Sequence, residues 1–539
     1  MKRTLALILA LVMMMALVAC GGDKPATSGA ATPDAPAAPG KDTTALEDLN
    51  KDKDAQADAT KTYKKEITIG YNGKIAELNY HIKSDMATDR VHKMVHNQLV
   101  YFNWETVEIE PELAESWEIS EDCKTYTFHL RKGVKFSNGE ELTADDVRFT
   151  FMERHPSVGG TTAATVTNAL EDIVVKDDYT VIFKLKEGNS DLLYRLQMIY
   201  ATICNREACE KDPENGHQIG TGGWILDDWS AGDYITLVRN DNSWIWNGEA
   251  GMTPTEKVTF RTMNEDAPRA LALQNKEIEV AASVNVADIP ALEKDDNVSV
   301  HTYQGQNLNY VFINMQNGKL SNDVNLRKAI AFAINYADIC EFMNGEKAES
   351  FWGKNQYGLF EGFAEPHAYN LEKAKAYMAK STAPNGLEIS MITLGSYEGI
   401  AALIQANLEA IGIKVNISTV DGAGMSAMVK EGSFDLGLQA ISLRCEGDRF
   451  AFICDPTNST NRAKYGNEWM REQYAKARSI SDDAQRKEIY KQIQTVFHDD
   501  VPYIAMYYPN NALAFNKNVK GVIWEPDSKF DFSHIMCEE

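Results

Sequence analysis

LVYFNWETVEIEPELAESWEISEDCKTYTFHLRKGVKFSNGEELTADDVRFTF, residues 99–151, is the stretch whose reading decides the fold class. Its segments at Ser116 to Ser120, Thr125 to Leu130 and Val134 to Phe136 alternate apolar and polar side chains, as half-buried strands do. Gly133 and Asn138-Gly139 supply turns, and Ala144-Asp145-Asp146-Val147 opens a helix. The run is therefore a β-meander ending in a capped helix, with Trp117 and Phe128 as core residues. Working outward, Glu66 to Tyr71 alternates as a strand before the Asn72-Gly73 turn, and residues 89–99 read as a helix with Val91, Met94, Val95 and Leu99 on one side. Tyr179 to Leu185 and Tyr234 to Val238 are further strands. The spacing predicts an amphipathic helix over 325–343, with Leu326, Ile330, Ile334 and Ile339 inward and Asn322 or Asp323 as cap. A helix over 400–411 ends at Gly412 and feeds the strand Ile413 to Ile417, and 483–497 is another helix. Strands and helices interleave at both hairpin and crossover spacing, so the class is α/β with mixed sheets. No internal repeat is visible.

The N-terminus has the order of an export signal. Met1, Lys2 and Arg3 are followed by an apolar stretch over 5–19, fifteen residues against the roughly 20 that span a bilayer as a helix. Leu17-Val18-Ala19-Cys20 resembles the bacterial lipobox, which predicts a signal peptide over 1–19 and lipidation of Cys20. Residues 20–62 then read as the lipidated cysteine and a disordered tether. Pro25, Pro33, Pro36 and Pro39 fall in it, no aromatic residue precedes Tyr63, and its reach is on the order of 35 Å. A second apolar run of membrane length does not follow, so lipid would be the membrane anchor.

The 477 residues from Tyr63 onward exceed what one core usually fills, so two or three lobes are expected. The formal charge is −24, and such an acidic surface excludes nucleic acid as a partner. Eight cysteines are present, none in a C-x-x-C pair, and with Cys20 lipidated seven remain. His92 and His96 stand four apart on one helix face. With no Glu at the second position and no third ligand nearby, they read as packing rather than as a metal site. No G-x-S-x-G, S-x-x-K or H-E-x-x-H occurs, and Gly220-Thr221-Gly222-Gly223 lacks the Lys-Ser/Thr pair of a phosphate loop. No catalytic residue, metal or cofactor is assigned.

With these segments in place, residues 99–151 resemble the signature of the extracellular solute-binding protein family 5, the dipeptide-, oligopeptide- and nickel-binding group of ABC-transporter receptors. Four further stretches match in order. IGTGGW (219–224) resembles G-T-G-P-[YF], with Gly223 where Pro is usual. VNLRKAIAFAIN (324–335), YNLEKAKAYMAKS (369–381) and LEAIGIKVNI (408–417) resemble the family's later motifs. The resemblance implies an α/β, two-lobed periplasmic-binding-protein-like fold (type II, cluster C-like) with an extra subdomain in lobe I. Lobe I would span 63–308 with the subdomain at about 105–214, lobe II 309–500, and the return crossing with the C-terminal part of lobe I 501–539. It also implies a ligand held between closing lobes, ABC permease subunits as partners, and an extracytoplasmic, lipid-anchored location.

The ligand anchors depart from the family. Peptide-binding members carry G-W-x-[AG]-D-Y-x-D-P where this chain has FDLGLQAISLRCEGDRFAFICDP (434–456), with Gln439 near the Trp position and Ser442-Leu443-Arg444 where Asp-Tyr would lie. TLGSYEG (393–399) also lacks the basic residue that dipeptide receptors place for the ligand carboxylate. Arg444, with charge reversed at an acid's place, is expected to pair with an anionic ligand group or, on the plainer reading, with Glu446 or Asp448. Tyr508 on the return crossing, with Gln439, Ser442, Asn309, Tyr71, Asn72 and Trp352, completes the expected cleft set. A disulfide between Cys445 and Cys454 is implied, since receptors of this family sometimes carry a bridge beside the cleft, while Cys204 and Cys209 form a weaker candidate pair. Oligopeptide, metal chelate and anionic solute all stay open as ligands. A surface sensor without transport and an exported hydrolase are the readings from other classes.

Overall fold

Strand Tyr503–Asn516 organises the molecule. Its first residues pair antiparallel with Asn307–Ile313, and its last ones pair with Val298–Gln304 and Val280–Ala281. At about 3.3 Å per residue its fourteen residues reach roughly 45 Å. It thereby joins the two ends of a twelve-stranded sheet. At one end Leu387–Leu394, Ile413–Val420 and Leu436–Ser442 are paired in parallel, with helices Glu398–Glu409 and Gly422–Glu431 as the connections that parallel neighbours require. At the other end Glu66–Tyr71 lies parallel to Lys257–Thr262, which continues antiparallel into Tyr234–Arg239 and Trp224–Ser230. A separate antiparallel sheet of four strands, in the order Ala114–Ile119, Thr125–Leu130, Thr180–Leu185 and Leu170–Asp177, is the expected meander. This computed structural model describes residues 56–73, 75, 77–82, 86–104, 106–158, 164–246, 251–316, 318–525 and 529–539. The expected leader, Cys20 and the tether as far as residue 55 lie outside them. No helix among the described residues is long and apolar enough to cross a membrane.

Separate hydrophobic cores follow this division. Ile67, Ile69, Trp224, Leu237, Val258 and Phe532 form one, and Tyr126, Phe128, Val147, Phe151 and Phe183 another under the four-stranded sheet. Strand Asn307–Ile313 is buried on both faces, as its run of apolar residues requires. Leu308, Tyr310 and Phe312 enter an aromatic core with Phe351, Phe450 and Phe497, whereas Val311 and Ile313 join Ile330, Ile404 and Met391. Phe102, Trp104 and Tyr194, from the side of the four-stranded sheet, pack into that same aromatic core.

Local expectations hold with four adjustments, the first being that the helix expected over 89–99 is Met86–Val95 and ends before Leu99. The helix expected over 325–343 is two, Val324–Ala333 and Tyr336–Met343. Asn335 turns its side chain onto the amide of Ala337 and caps a new helix in mid-run. Leu326, Ile330, Ile334 and Ile339 are nevertheless all buried, and Asp323 is the cap. Trp117 packs against the edge of its core half-buried rather than inside it. The segment at Val134 to Phe136 makes only a single bridge, Lys135 to Glu141.

His92 and His96 belong to a buried histidine cluster. The Tyr80 ring meets His81, His92 and His96 edge-on at centroid distances of 4.4, 4.9 and 4.6 Å, and His81 meets His155 at 4.3 Å. His217 lies 5.9 Å from Tyr80. The imidazoles surround a phenol ring and do not converge on a point. Among the described residues no group of three or more His, Cys, Asp or Glu side chains is placed to hold a metal. The Nε2 of His81 donates to the Thr202 carbonyl at 3.2 Å, which leaves its Nδ1 unprotonated in the neutral ring.

Burial, with neighbouring His155 and His92 respectively, pushes His81 and His96 well below the usual imidazole range. Burial lowers His155 to about 3, and burial with the Arg154 charge lowers His217 to about 4. These rings are neutral when folded but accept protons once unfolded, near pH 6.5. Stability is therefore full above that value and falls as the pH drops toward 4, by about 1.4 kcal/mol per pH unit for each such histidine. Urea unfolding between pH 7.5 and 4.5 is expected to show a steep acid loss, and a flat profile is the contrary result.

Candidate functional site

Strand pairing sets three of the eight expected cleft residues, Asn309, Gln439 and Ser442, on one ladder, with Arg444 just beyond its end and Tyr508 and Trp352 in the aromatic core beside it. Asn307 faces Ser442, Asn309 faces Ala440, and Tyr310 faces Gln439. Ser442 Oγ donates to Asn307 Oδ1 at 2.8 Å, and the amide of buried Asn309 donates to the Asn307 carbonyl at 3.1 Å. A register shift beside Asn309 sets it opposite Tyr507, and neighbouring Tyr508 turns to the aromatic core. Trp352 is in that core, edge-on to Phe450 and Phe497 at 5.4 and 5.0 Å, with its indole N–H buried and without a hydrogen-bond partner among the described residues. Leu443, whose amide donates to the Gln306 carbonyl at 2.9 Å, leads directly to Arg444. Tyr71 and Asn72 lie elsewhere. Tyr71 is buried in the Ile67–Trp224 core with its hydroxyl 2.9 Å from Thr262 Oγ1, and Asn72 is exposed at the end of its strand.

Arg444 keeps 34% of its side chain exposed, and its guanidinium stands 3.9 Å from Glu446, at the outer limit of an ion pair. Asp448, the other acid within its reach in sequence, is taken by other arginines. Arg449 lies beside Arg444, donating to the Ser442 carbonyl at 3.1 Å, with its Nε buried and without a partner. Burial, reinforced by the charge of Arg444, lowers the Arg449 guanidinium from its ordinary range. The Glu446 carboxylate thus lies in the field of two cations, loosely paired with Arg444, and its Oε2 is buried and without a hydrogen-bond partner.

A second set of charges joins this segment to residues 188–198, which sequence reasoning did not single out. Arg195 Nη2 donates to both carboxylate oxygens of Asp448 at 3.1 and 3.0 Å, and Arg478 Nε donates to Oδ2 at 2.7 Å. Burial works to raise the Asp448 carboxyl, but the charges of Arg195 and Arg478 outweigh it and hold the group below the usual range. Asp191 accepts from the Asp448 amide at 3.1 Å and from the Tyr490 hydroxyl at 3.3 Å. Its burial, with the adjacent Asp448 charge, raises it to about 7. Ser190 adds bonds to the carbonyls of Arg478 and Ala477, and Gln197 donates to Cys445 Sγ at 3.3 Å. Nothing in DLLYRLQ, residues 191–197, announces these roles, because the partners come from more than 240 positions away.

Beside this junction lies a cavity of about 400 Å³, within the range of small-molecule sites. Ile109, Tyr126 and Tyr194 line it on one side, and Tyr357, Asp483 and Arg486 on the other. The Arg486 guanidinium lies over the Tyr357 ring at 4.7 Å, and the Tyr357 hydroxyl donates to Asp483 at 2.6 Å. None of the eight expected cleft residues lines this cavity.

The bridge expected between Cys445 and Cys454 is absent, and both are buried thiols. Their loop turns the side chains to different neighbours. Cys445 takes the Gln197 amide, whereas Cys454 lies by Tyr465 and Tyr474, where burial raises its thiol to about 12.

This architecture belongs among the solute-binding proteins. Residues 108–462 match the model of the bacterial extracellular solute-binding proteins, family 5 (middle region), and the chain belongs to that family. Family members are transport binding proteins and not enzymes, and they work outside the cytoplasm. The chain is similar to the dipeptide-binding protein of Escherichia coli K12, 28% identical over 488 residues that cover 82% of this chain and 89% of the relative. It is equally similar to heme-binding protein A of Haemophilus influenzae Rd, 28% identical over 478 residues, covering 80% and 85%. The solved structure of HbpA2 from Haemophilus parasuis superposes with a TM-score of 0.80 at 26% identity, covering 88% of this chain and all of that one.

Asp448→Ala is expected to lower stability by about 3 kcal/mol, because it strands Arg195 and Arg478 without a carboxylate. The value sits at the low end for a buried pair since Arg478 stays 39% exposed. Urea unfolding checks it, and a loss below 1 kcal/mol would show that the cluster is not a structural contact.

Proposed function

We propose that this chain is the substrate-binding lipoprotein of an ABC importer, tethered through Cys20, and that it captures a small polar, peptide-like solute by hinge closure and delivers it to permease subunits. Lobe I is read as 63–308 with the subdomain at about 105–214, lobe II as 309–500, and 501–539 as the return crossing and the last part of lobe I. The reading is supported by the pairing of Tyr503–Asn516 with strands of both halves and by relatives named for peptides. The observation that carries the ligand chemistry is the surplus of guanidinium over carboxylate at the crossing strands. Arg195, Arg444, Arg449 and Arg478 stand with Glu446, Asp448 and Asp191, whose carboxyl burial raises to about 7, in a chain of net charge −24. A local positive spot in an acidic protein selects an anionic group. Arg444, partly exposed and only loosely paired, is the residue able to turn to a ligand carboxylate and hold it bidentately. Gln439, Ser442, Asn309, Trp352 and Tyr508 supply the surrounding polar and aromatic contacts. The same surplus favours an anionic non-peptide solute as the second reading, in keeping with a relative named for heme.

A thermal-shift panel of peptides, nickel–histidine, haem and organic acids tests the ligand class. A true ligand at 100 times its Kd stabilises by about 2.7 kcal/mol. Arg444→Ala is expected to weaken that binding by about 1.5–3 kcal/mol, the worth of a charged hydrogen bond. The unliganded Tm should barely move, since a 3.9 Å pair at a partly exposed site adds little. Unchanged affinity would remove Arg444 from the site.

The anchor has its own test. Intact-mass analysis of the exported chain is expected to find a mature start at Cys20 carrying acyl groups, and any other start contradicts the lipoprotein reading.

A further inference from the structure

We propose that Cys204 and Cys209 form a disulfide in the exported protein, stapling the short helix Arg206–Lys211 to the chain that leads into it. Five residues apart is an awkward spacing within a helix, but these two do not share one. Asn205 is the N-cap, its side chain accepting from the Ala208 amide at 2.7 Å. Cys204 is therefore the residue before the cap and Cys209 the fourth helical residue, the two positions that meet as a hydrophobic staple. They do meet. Both are buried, free thiols in this structure, and with Phe149 they form a small cluster of their own, the Cys204 thiol directed at the Cys209 sulfur. Cys204 is held from both sides, its amide donating to Thr150 Oγ1 at 3.1 Å and its sulfur 3.4 Å from the same hydroxyl. Nearby Arg154 favours thiolate on either sulfur.

The chemistry is thiol–disulfide exchange with an oxidant of the disulfide class, either a small disulfide such as glutathione disulfide or the disulfide of an oxidoreductase. Cys209, as thiolate, attacks the oxidant's disulfide. It forms a mixed disulfide and expels one thiolate of the oxidant. Cys204 then loses its proton, attacks the Cys209 sulfur and releases the second thiolate. The two cysteines give up two electrons and two protons, and the oxidant becomes two thiols. Since both sulfurs are buried when folded, the exchange takes place while the chain is folding, before the helix closes over them. An extracytoplasmic location, which the family supplies, is where such a bond persists. The bond would fix the end of the 188–203 segment whose Asp191, Arg195 and Gln197 reach Asp448 and Cys445. It does not depend on the ligand or on the lipid.

The test is peptide mapping of the full exported chain, denatured in N-ethylmaleimide without reductant. Trypsin cuts after Arg206, between the two cysteines, so the bond would join LQMIYATICNR (196–206) to EACEK (207–211). The expected product is this linked pair, two hydrogens lighter than the sum of its parts, which separates on reduction. Recovery of the two peptides apart, each alkylated, overturns the proposal, and so does either peptide joined to one containing Cys123. A second measurement guards against ambiguous mapping. Reductant is expected to lower the Tm of the wild type and to leave that of Cys204→Ser unchanged, whereas an equal drop in both would overturn the assignment.

Discussion

The backbone ladder along Tyr503–Asn516 is the constraint on which the rest of the molecule depends. Residues 503–507 are hydrogen-bonded to Asn307–Ile313, and residues 510–516 to Val298–Gln304. A paired strand buried among apolar side chains cannot release its amides and carbonyls without leaving them unsatisfied, at roughly 1–3 kcal/mol each. The strand therefore holds both halves firmly, and its pairing changes partner at one place along its length. That change falls at Pro509, which has no amide proton to give, opposite Gly305, whose amide donates to the Pro509 carbonyl at 2.7 Å. At Gly305 a Cβ would stand 2.9 Å from that same carbonyl oxygen, so the close approach of the two crossings needs a glycine. A glycine facing a proline at the switch of partners is where the chain can bend at least expense to the ladder.

Away from this line charge adds to the backbone and aromatic contacts that join the halves. Asp448 lies almost fully buried between Arg195 and Arg478, so its interactions are stronger than any surface pair could be. The same low dielectric raises Asp191 toward neutrality beside it, which lets two carboxyls share one small space. What is left over is cationic. Arg449 and Arg444 lie side by side with Glu446 between them, and that surplus is the electrostatic signature of the site.

The histidine cluster and the Asp448 cluster meet acid with opposite charge states and the same outcome. The first is neutral and resists protonation by burial, and the second keeps a carboxylate charged by pairing it. Acid damages both, because protonating either a buried imidazole or the paired Asp448 carboxylate works against the folded state. The two clusters meet different ends of the 188–217 segment, Asp448 through Asp191 and Arg195, and the histidines through Thr202 and His217.

Element types were legible in the sequence because they rest on local periodicity and caps. The strand at Glu66–Tyr71, the helix beginning at Asp483 and the meander of residues 114–130 stand where alternation, an Asp cap and turn residues put them. The family was legible for the same reason, as its motifs are runs of core and turn residues. Asn335 shows the limit of local reading, since an apolar stripe continued through a residue that preferred to cap. The identity of charge partners was not legible at all. Arg444 could be named from its place in a motif, but that Asp448 would be claimed by Arg195 and Arg478, or that Cys445 and Cys454 would face apart, follows from which surfaces meet after folding. Cys204 and Cys209 looked badly spaced until Asn205 proved to be a cap. Local sequence determined backbone conformation because that is set by neighbours a few residues away. Only the tertiary structure decided the site, because desolvation and ion pairing depend on groups hundreds of residues distant that packing brings within 3 Å.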